Sequence, residues 1–109
     1  MTRFFLFFLI SCTLISGVNA AVYETLNKLP DKMRMLYITG MGEGFMWSSA
    51  AVKNNYDKIY CPPQHIGLNG DQYVAVLDGF VKRHPEMEAD KMEIGHLMYT
   101  ALQESFPCK

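Results

Sequence analysis

Several things that would name a function are missing from these 109 residues. There is one tryptophan, three cysteines and no Cys-x-x-Cys pair. Neither basic nor acidic residues dominate: ten Lys plus Arg stand against eleven Asp plus Glu, a net charge of −1. That balance excludes the basic face through which nucleic acid is usually held, and with it electrostatic docking on anionic membranes. No segment of useful length alternates with the two-residue period of a strand, and none repeats. No glycine-rich loop is followed by Lys-Ser/Thr, and no His-x-x-x-His or paired Cys/His spacing marks a zinc site. The chain has room for one small domain.

What is there begins with an export signal. Met1-Thr2-Arg3 is a short positive start, and Phe4 to Ser16 is an apolar run of thirteen residues. A bilayer span needs roughly 20. Val18 and Ala20 are the small residues that signal peptidase reads, so cleavage is expected after Ala20, leaving residues 21–109 in the periplasm. Two other readings are a lipoprotein box at Leu9-Ile10-Ser11-Cys12 and a retained anchor. Cleavage removes Arg3 and Cys12, and the mature chain carries −2. In an oxidising compartment its two cysteines, Cys61 and Cys108, are expected to form a disulfide. The closed loop constrains the unfolded chain by about 4 kcal/mol on the entropic account.

The remaining residues read as an all-α domain of about four helices. Val22 to Leu29 is a short amphipathic piece stopped by Pro30, with Asp31 as the expected N-cap of the next helix. From Lys32 to about Asn54 the apolar set Met33, Leu36, Tyr37, Met41, Phe45, Ala51 and Val52 recurs at helical spacing and predicts the buried face. Gly40, Gly42 and Gly44 each cost up to about 1 kcal/mol relative to alanine inside that helix. Gly40 and Gly44 share a face and are expected to let another helix approach closely. Consecutive prolines, Pro62-Pro63, make residues 54–69 a loop. A third helix starts at Asn69 or Gly70 and carries Tyr73, Val74, Leu77, Phe80 and Val81 before Pro85 breaks the chain. The last is expected to open at Glu88 to Asp90 with acids in its first turn, and to carry Ile94, Leu97, Met98, Ala101 and Leu102.

The chain resembles the Rap1a/Tai family. The resemblance rests on Tyr37-Ile38-Thr39-Gly40, Cys61-Pro62-Pro63, Gln72/Tyr73 to Phe80, His84-Pro85-Glu86, and Ala101-Leu102 leading into Phe106-Pro107-Cys108, in that order. It spans about residues 33 to 108. It implies a small periplasmic helical domain with the Cys61–Cys108 bridge. It also implies an immunity protein that binds and blocks a peptidoglycan-cleaving amidase effector delivered by type VI secretion.

Catalytic chemistry finds little support. His65, His84 and His96 are scattered, Glu93-x-x-His96 lacks the rest of a di-iron set, and Ser48 and Ser49 lack a nucleophile elbow. The reading is a non-enzyme without cofactor or metal. Trp47 is expected in the core beside Phe45 and Met46. Tyr56, Tyr60 and His65, on a loop held at Cys61, are the candidate partner contacts. On this reading the ordered loop enters the effector's groove and excludes substrate. Two alternatives stand: an acid-stress chaperone of the HdeA type, in which Glu86, Glu88, Asp90, Glu93 and Glu104 lose charge at low pH, and an envelope protein without a toxin partner. A homodimer through the long helix is a further expectation.

Overall fold

The computed structural model describes residues 21–62 and 67–108. The expected signal peptide and His65 lie outside the described residues. Among the described residues the fold is all-α, with four helices: α1 (Tyr23–Leu26), α2 (Asp31–Ala50), α3 (Gly70–Arg83) and α4 (Ile94–Ser105). Single 3₁₀ turns cover Asn55–Asp57, Pro85–Met87 and Ala89–Lys91.

Local chemistry accounts for most boundaries. At α3, Asn69 Oδ1 accepts from the Gln72 N–H at 2.9 Å while Gln72 Oε1 accepts from the Asn69 N–H at 2.8 Å, a reciprocal cap that satisfies two otherwise orphaned donors. Lys82 and Arg83 end the same helix, where their charge suits the partial negative end of its dipole. The second helix is shorter than expected, Asp31–Ala50. Pro30 stands at its N-cap position and Asp31 is its first residue, so no side chain caps it. The first helix also contracts, to one turn, because the chain turns at Asn27. The last helix starts at Ile94, four to six residues later than expected, and has no acid in its first turn. Glu88 adopts a left-handed backbone, φ 50°, and Met92 is extended. Residues 85–91 therefore form two separate 3₁₀ turns.

The core is built from one face each of α3 and α4, closed by α1 and α2. Leu26, Ile38, Tyr60, Tyr73, Leu77, Phe80, Ile94, Leu97, Met98, Ala101 and Leu102 are its buried members. Fully burying a side chain of the Leu or Phe kind is worth about 1.5–3 kcal/mol. On α2 the buried face differs from the expected one. Ile38, Gly42 and Ser49 point inward, with Met41 and Phe45 half-buried, whereas Met33, Leu36 and Tyr37 are exposed. The close approach also belongs to a different glycine. A Cβ at Gly42 would run into the Tyr73 ring, while at Gly40 and Gly44 it would meet nothing within 4 Å.

The ends of α4 are tied to distant parts of the chain. Its first N–H, that of Ile94, donates to the Ala21 carbonyl at 3.1 Å, and the Tyr23 N–H donates to the Met92 carbonyl at 3.0 Å. At the other end the Cys61 N–H donates to the Phe106 carbonyl at 2.9 Å. The Cys61–Cys108 disulfide follows two residues on, with a Cα–Cα distance of 4.9 Å.

Candidate functional site

The segment between α2 and α3 is held at one point and turned at another. Cys61 fixes it to the C-terminal end of α4 through the disulfide and the backbone hydrogen bond. Upstream, Asn54 shapes a tight turn: its Oδ1 accepts from the Tyr56 N–H at 3.0 Å and its carbonyl accepts from the Asp57 N–H at 3.0 Å. Asparagine favours this geometry because its side chain stands in for a backbone acceptor. The product is Tyr56 projecting from the surface, 93% exposed.

The candidate contact residues therefore separate. Tyr56 is on the surface, as a partner contact requires. Tyr60 is fully buried against Phe106, ring centroids 6.3 Å apart, and burial pushes its phenol well above the ordinary tyrosine range. It belongs to the core and offers no contact area, because the adjacent Cys61 draws it beneath the loop. Trp47 departs from expectation in the other direction: it is 68% exposed. With Met33, Leu36 and Tyr37 it gives α2 an outward apolar face that spacing alone did not reveal. The signal was present all the same, since the helix carries apolar residues around its whole circumference, a pattern that belongs to helices covered on every side.

Two ionic clusters join the helices. Arg34 forks onto Asp78, Nη1 to Oδ2 at 2.8 Å and Nη2 to Oδ1 at 2.6 Å, while the Tyr23 hydroxyl donates to Asp78 Oδ1 at 2.6 Å. Arg34 Nε and Nη2 also donate to Asn27 Oδ1 at 3.1 and 2.8 Å. Paired, two-point contact of this kind fixes geometry as well as energy. Burial, and then the neighbouring Asp78 carboxylate, push the Tyr23 phenol up to about 12. The other cluster is at the far end of α3. His84 lies between two carboxylates, Nε2 2.6 Å from Glu104 and Nδ1 3.2 Å from Glu86, with its ring 4.6 Å from that of Phe80. Glu104 first, and Glu86 second, raise the His84 pKa above its ordinary value. Arg83 engages the other Glu104 oxygen, Oε1, with Nε at 3.1 Å and Nη2 at 3.0 Å, while His84 faces Oε2.

The residues screened for catalysis are dispersed. Ser49 is buried and Ser48 exposed on α2, His84 is engaged with its glutamates, and His96 is exposed on α4. Among the described residues no group of three or more His, Cys, Asp or Glu is arranged to hold a metal ion. The class defined by these observations is a small, disulfide-bridged, all-α domain whose conspicuous surface features are apolar and aromatic. Comparison with protein-family models, with curated proteins and with solved structures yields no match.

Proposed function

We propose that this protein is a binding protein of an oxidising compartment, of the immunity type, that inhibits a peptidoglycan-cleaving amidase effector by occupying its substrate groove. The observation that carries the reading is Tyr56: an aromatic side chain almost fully in solvent, on a turn built by Asn54 and anchored by the Cys61–Cys108 bridge. An exposed tyrosine on an ordered loop supplies rigid contact area at low entropic cost, which is the pattern of a binding anchor. The hydrogen-bonded turn at Asn54 would give the partner a preformed element. The resemblance to the Rap1a/Tai family supplies the class of partner, and the export signal supplies the compartment.

The test is titration calorimetry of the oxidised protein against an amidase-like product of a neighbouring gene, with peptidoglycan cleavage followed in parallel. Tight binding with loss of cleavage, weakened at least about tenfold by Tyr56→Ala, is the expected result. Unchanged affinity in that variant places the contact elsewhere. Absence of binding to any such product removes the immunity reading.

One observation favours the acid-stress chaperone instead. Glu24, Glu86 and Glu104 are all held below the usual glutamate range by cationic or hydrogen-bonding neighbours, so their contacts with Lys91, His84 and Arg83 are lost as pH falls below that range. Suppression of client aggregation near pH 2–3 would support that role, and an immunity protein has no need of it.

A further inference from the structure

We propose that Met35 is a site of reversible oxidation to the sulfoxide, and that the modification loosens the seam between α2 and the start of α3. The inference is independent of the amidase reading and concerns neither the Tyr56 turn nor the outward face of α2.

Exposure sorts the methionines of the described residues. Met98 is fully buried, and Met41, Met46, Met87 and Met92 are half-buried. Met33 and Met35 are the open ones, 56% and 37% exposed. A thioether is oxidised where solvent reaches it. Two positions apart on a helix, these residues point to different sides. Met35 precedes Ile38, Thr39 and Gly42 by three, four and seven positions, which places it toward the side that meets α3, whereas Met33 stands on the outward stripe.

The Met35 side chain is pressed onto Gly70, the first residue of α3. A Cβ on that glycine would stand 3.2 Å from Met35 Cγ and Sδ and 2.9 Å from Thr39 Oγ1, so the contact exists because the residue is glycine. The sulfur therefore lies against bare backbone beside the reciprocal cap of Asn69 and Gln72. Thr39 shares the contact, and its hydroxyl already donates to the Met35 carbonyl at 2.7 Å. The Asn69 and Gln72 amides donate into the cap. A sulfoxide adds bulk and a strong acceptor to this contact, and an acceptor left without a donor has to reach water. Reaching it moves the side chain off Gly70 and leaves the first turn of α3 without its cover.

The co-reactant is hydrogen peroxide. A sulfur lone pair attacks one peroxide oxygen, the S–O bond forms as the O–O bond breaks, and the departing hydroxide takes the proton of the transferred oxygen to become water. Sulfur loses the electron pair that the peroxide gains. Sulfoxide reductases reverse the step, one enzyme for each epimer. Leucine replaces methionine with little change of volume and has no sulfur to oxidise.

The experiment exposes the folded, disulfide-bonded protein to hydrogen peroxide, maps the added oxygen by peptide mass spectrometry and follows thermal unfolding. Met33 and Met35 are expected to take up oxygen first, and Met98 only on unfolding. The melting temperature is expected to fall by about 4–8 °C in the wild type and in Met33→Leu, to hold in Met35→Leu, and to recover when both sulfoxide reductases are added. Should Met35→Leu not fold, Met33→Leu carrying oxygen at Met35 gives the same reading through amide exchange, which is expected to quicken in the first turn of α3 ahead of the rest of that helix. Oxygen arriving at Met35 no sooner than at Met98, an unshifted melting temperature in the modified wild type, or a fall of equal size in Met35→Leu each overturns the proposal. So does exchange that quickens evenly along α3.

Discussion

Gly42 of α2 and Tyr73 of α3 meet with no room for a side chain between them: the tyrosine ring occupies the place where a Cβ would stand. Both residues are buried, so neither can move outward without opening the core. Gly42→Ala is therefore expected to lower stability by about 1–3 kcal/mol through overpacking. The same change at Gly40, where the space is open, is expected to raise it by up to about 1 kcal/mol through helix propensity. Thermal unfolding of the two variants side by side decides the matter, and equal effects would place Tyr73 elsewhere.

The Cys61–Cys108 bridge closes a loop over 47 positions of sequence and holds Tyr60 under Phe106. Replacing both cysteines by serine is expected to cost about 4 kcal/mol. For a domain of this size that is a large part of the total. Denaturant unfolding with and without reductant measures it. A midpoint indifferent to reductant would mean that the loop is held by other contacts.

Tyr23, Arg34 and Asp78 share one network, in which Asp78 accepts from both of the others. Asp78→Asn is expected to lower the Tyr23 pKa from about 12 toward, but not to, the ordinary 10.0, since burial, the largest single cause of the rise, remains. Ultraviolet titration of the phenol reads the shift directly. The same substitution should cost about 1–3 kcal/mol, because Arg34 loses its two-point acceptor.

Stability should be greatest in mildly acidic solution. His84 binds its proton more tightly in the folded chain than its ordinary 6.5 implies, because of Glu104 and then Glu86. Its contribution is complete below that ordinary value and disappears as pH rises through the higher folded value. Glu104, lowered chiefly by His84, and Glu24, lowered chiefly by Lys91, behave oppositely. Their contribution is present above the ordinary 4.5 and is lost as pH falls through their lower folded values. Melting temperature followed across pH is thus expected to peak between these two ordinary values. His84→Gln should flatten the alkaline side, and an unaltered profile in that variant would disconnect the histidine from folding.

The elements were legible in the sequence, their orientation less so. Pro30 and Pro85 mark breaks between helices and Asn69 the start of α3, and the apolar stripes of α3 and α4 give their buried faces directly. The long helix defeats such reading because both its sides are apolar. Periodicity reports a stripe without saying which stripe is covered, and the decision falls to the fit of Tyr73 onto Gly42. Trp47, expected inside beside Phe45 and Met46, stands on the uncovered stripe. Tyr56 and Tyr60 are four residues apart in a loop, and nothing local distinguishes them. A hydrogen bond to Asn54 turns one outward, and proximity to Cys61 draws the other in. The left-handed Glu88 that delays α4 has no sequence signal, since glutamate is not a residue that favours that conformation.

Helices ordinarily fray from their ends, and amide exchange enters there first. In α4 both termini are clasped by distant chain, by Ala21 at one end and by Cys61 with its bridge to Cys108 at the other. Fraying of this helix therefore requires release of the start of the domain or of the loop that carries Tyr56. Its amides should be the last to exchange with solvent, through global opening alone. The last helix thus serves as the fixed axle on which the turn carrying Tyr56 is mounted.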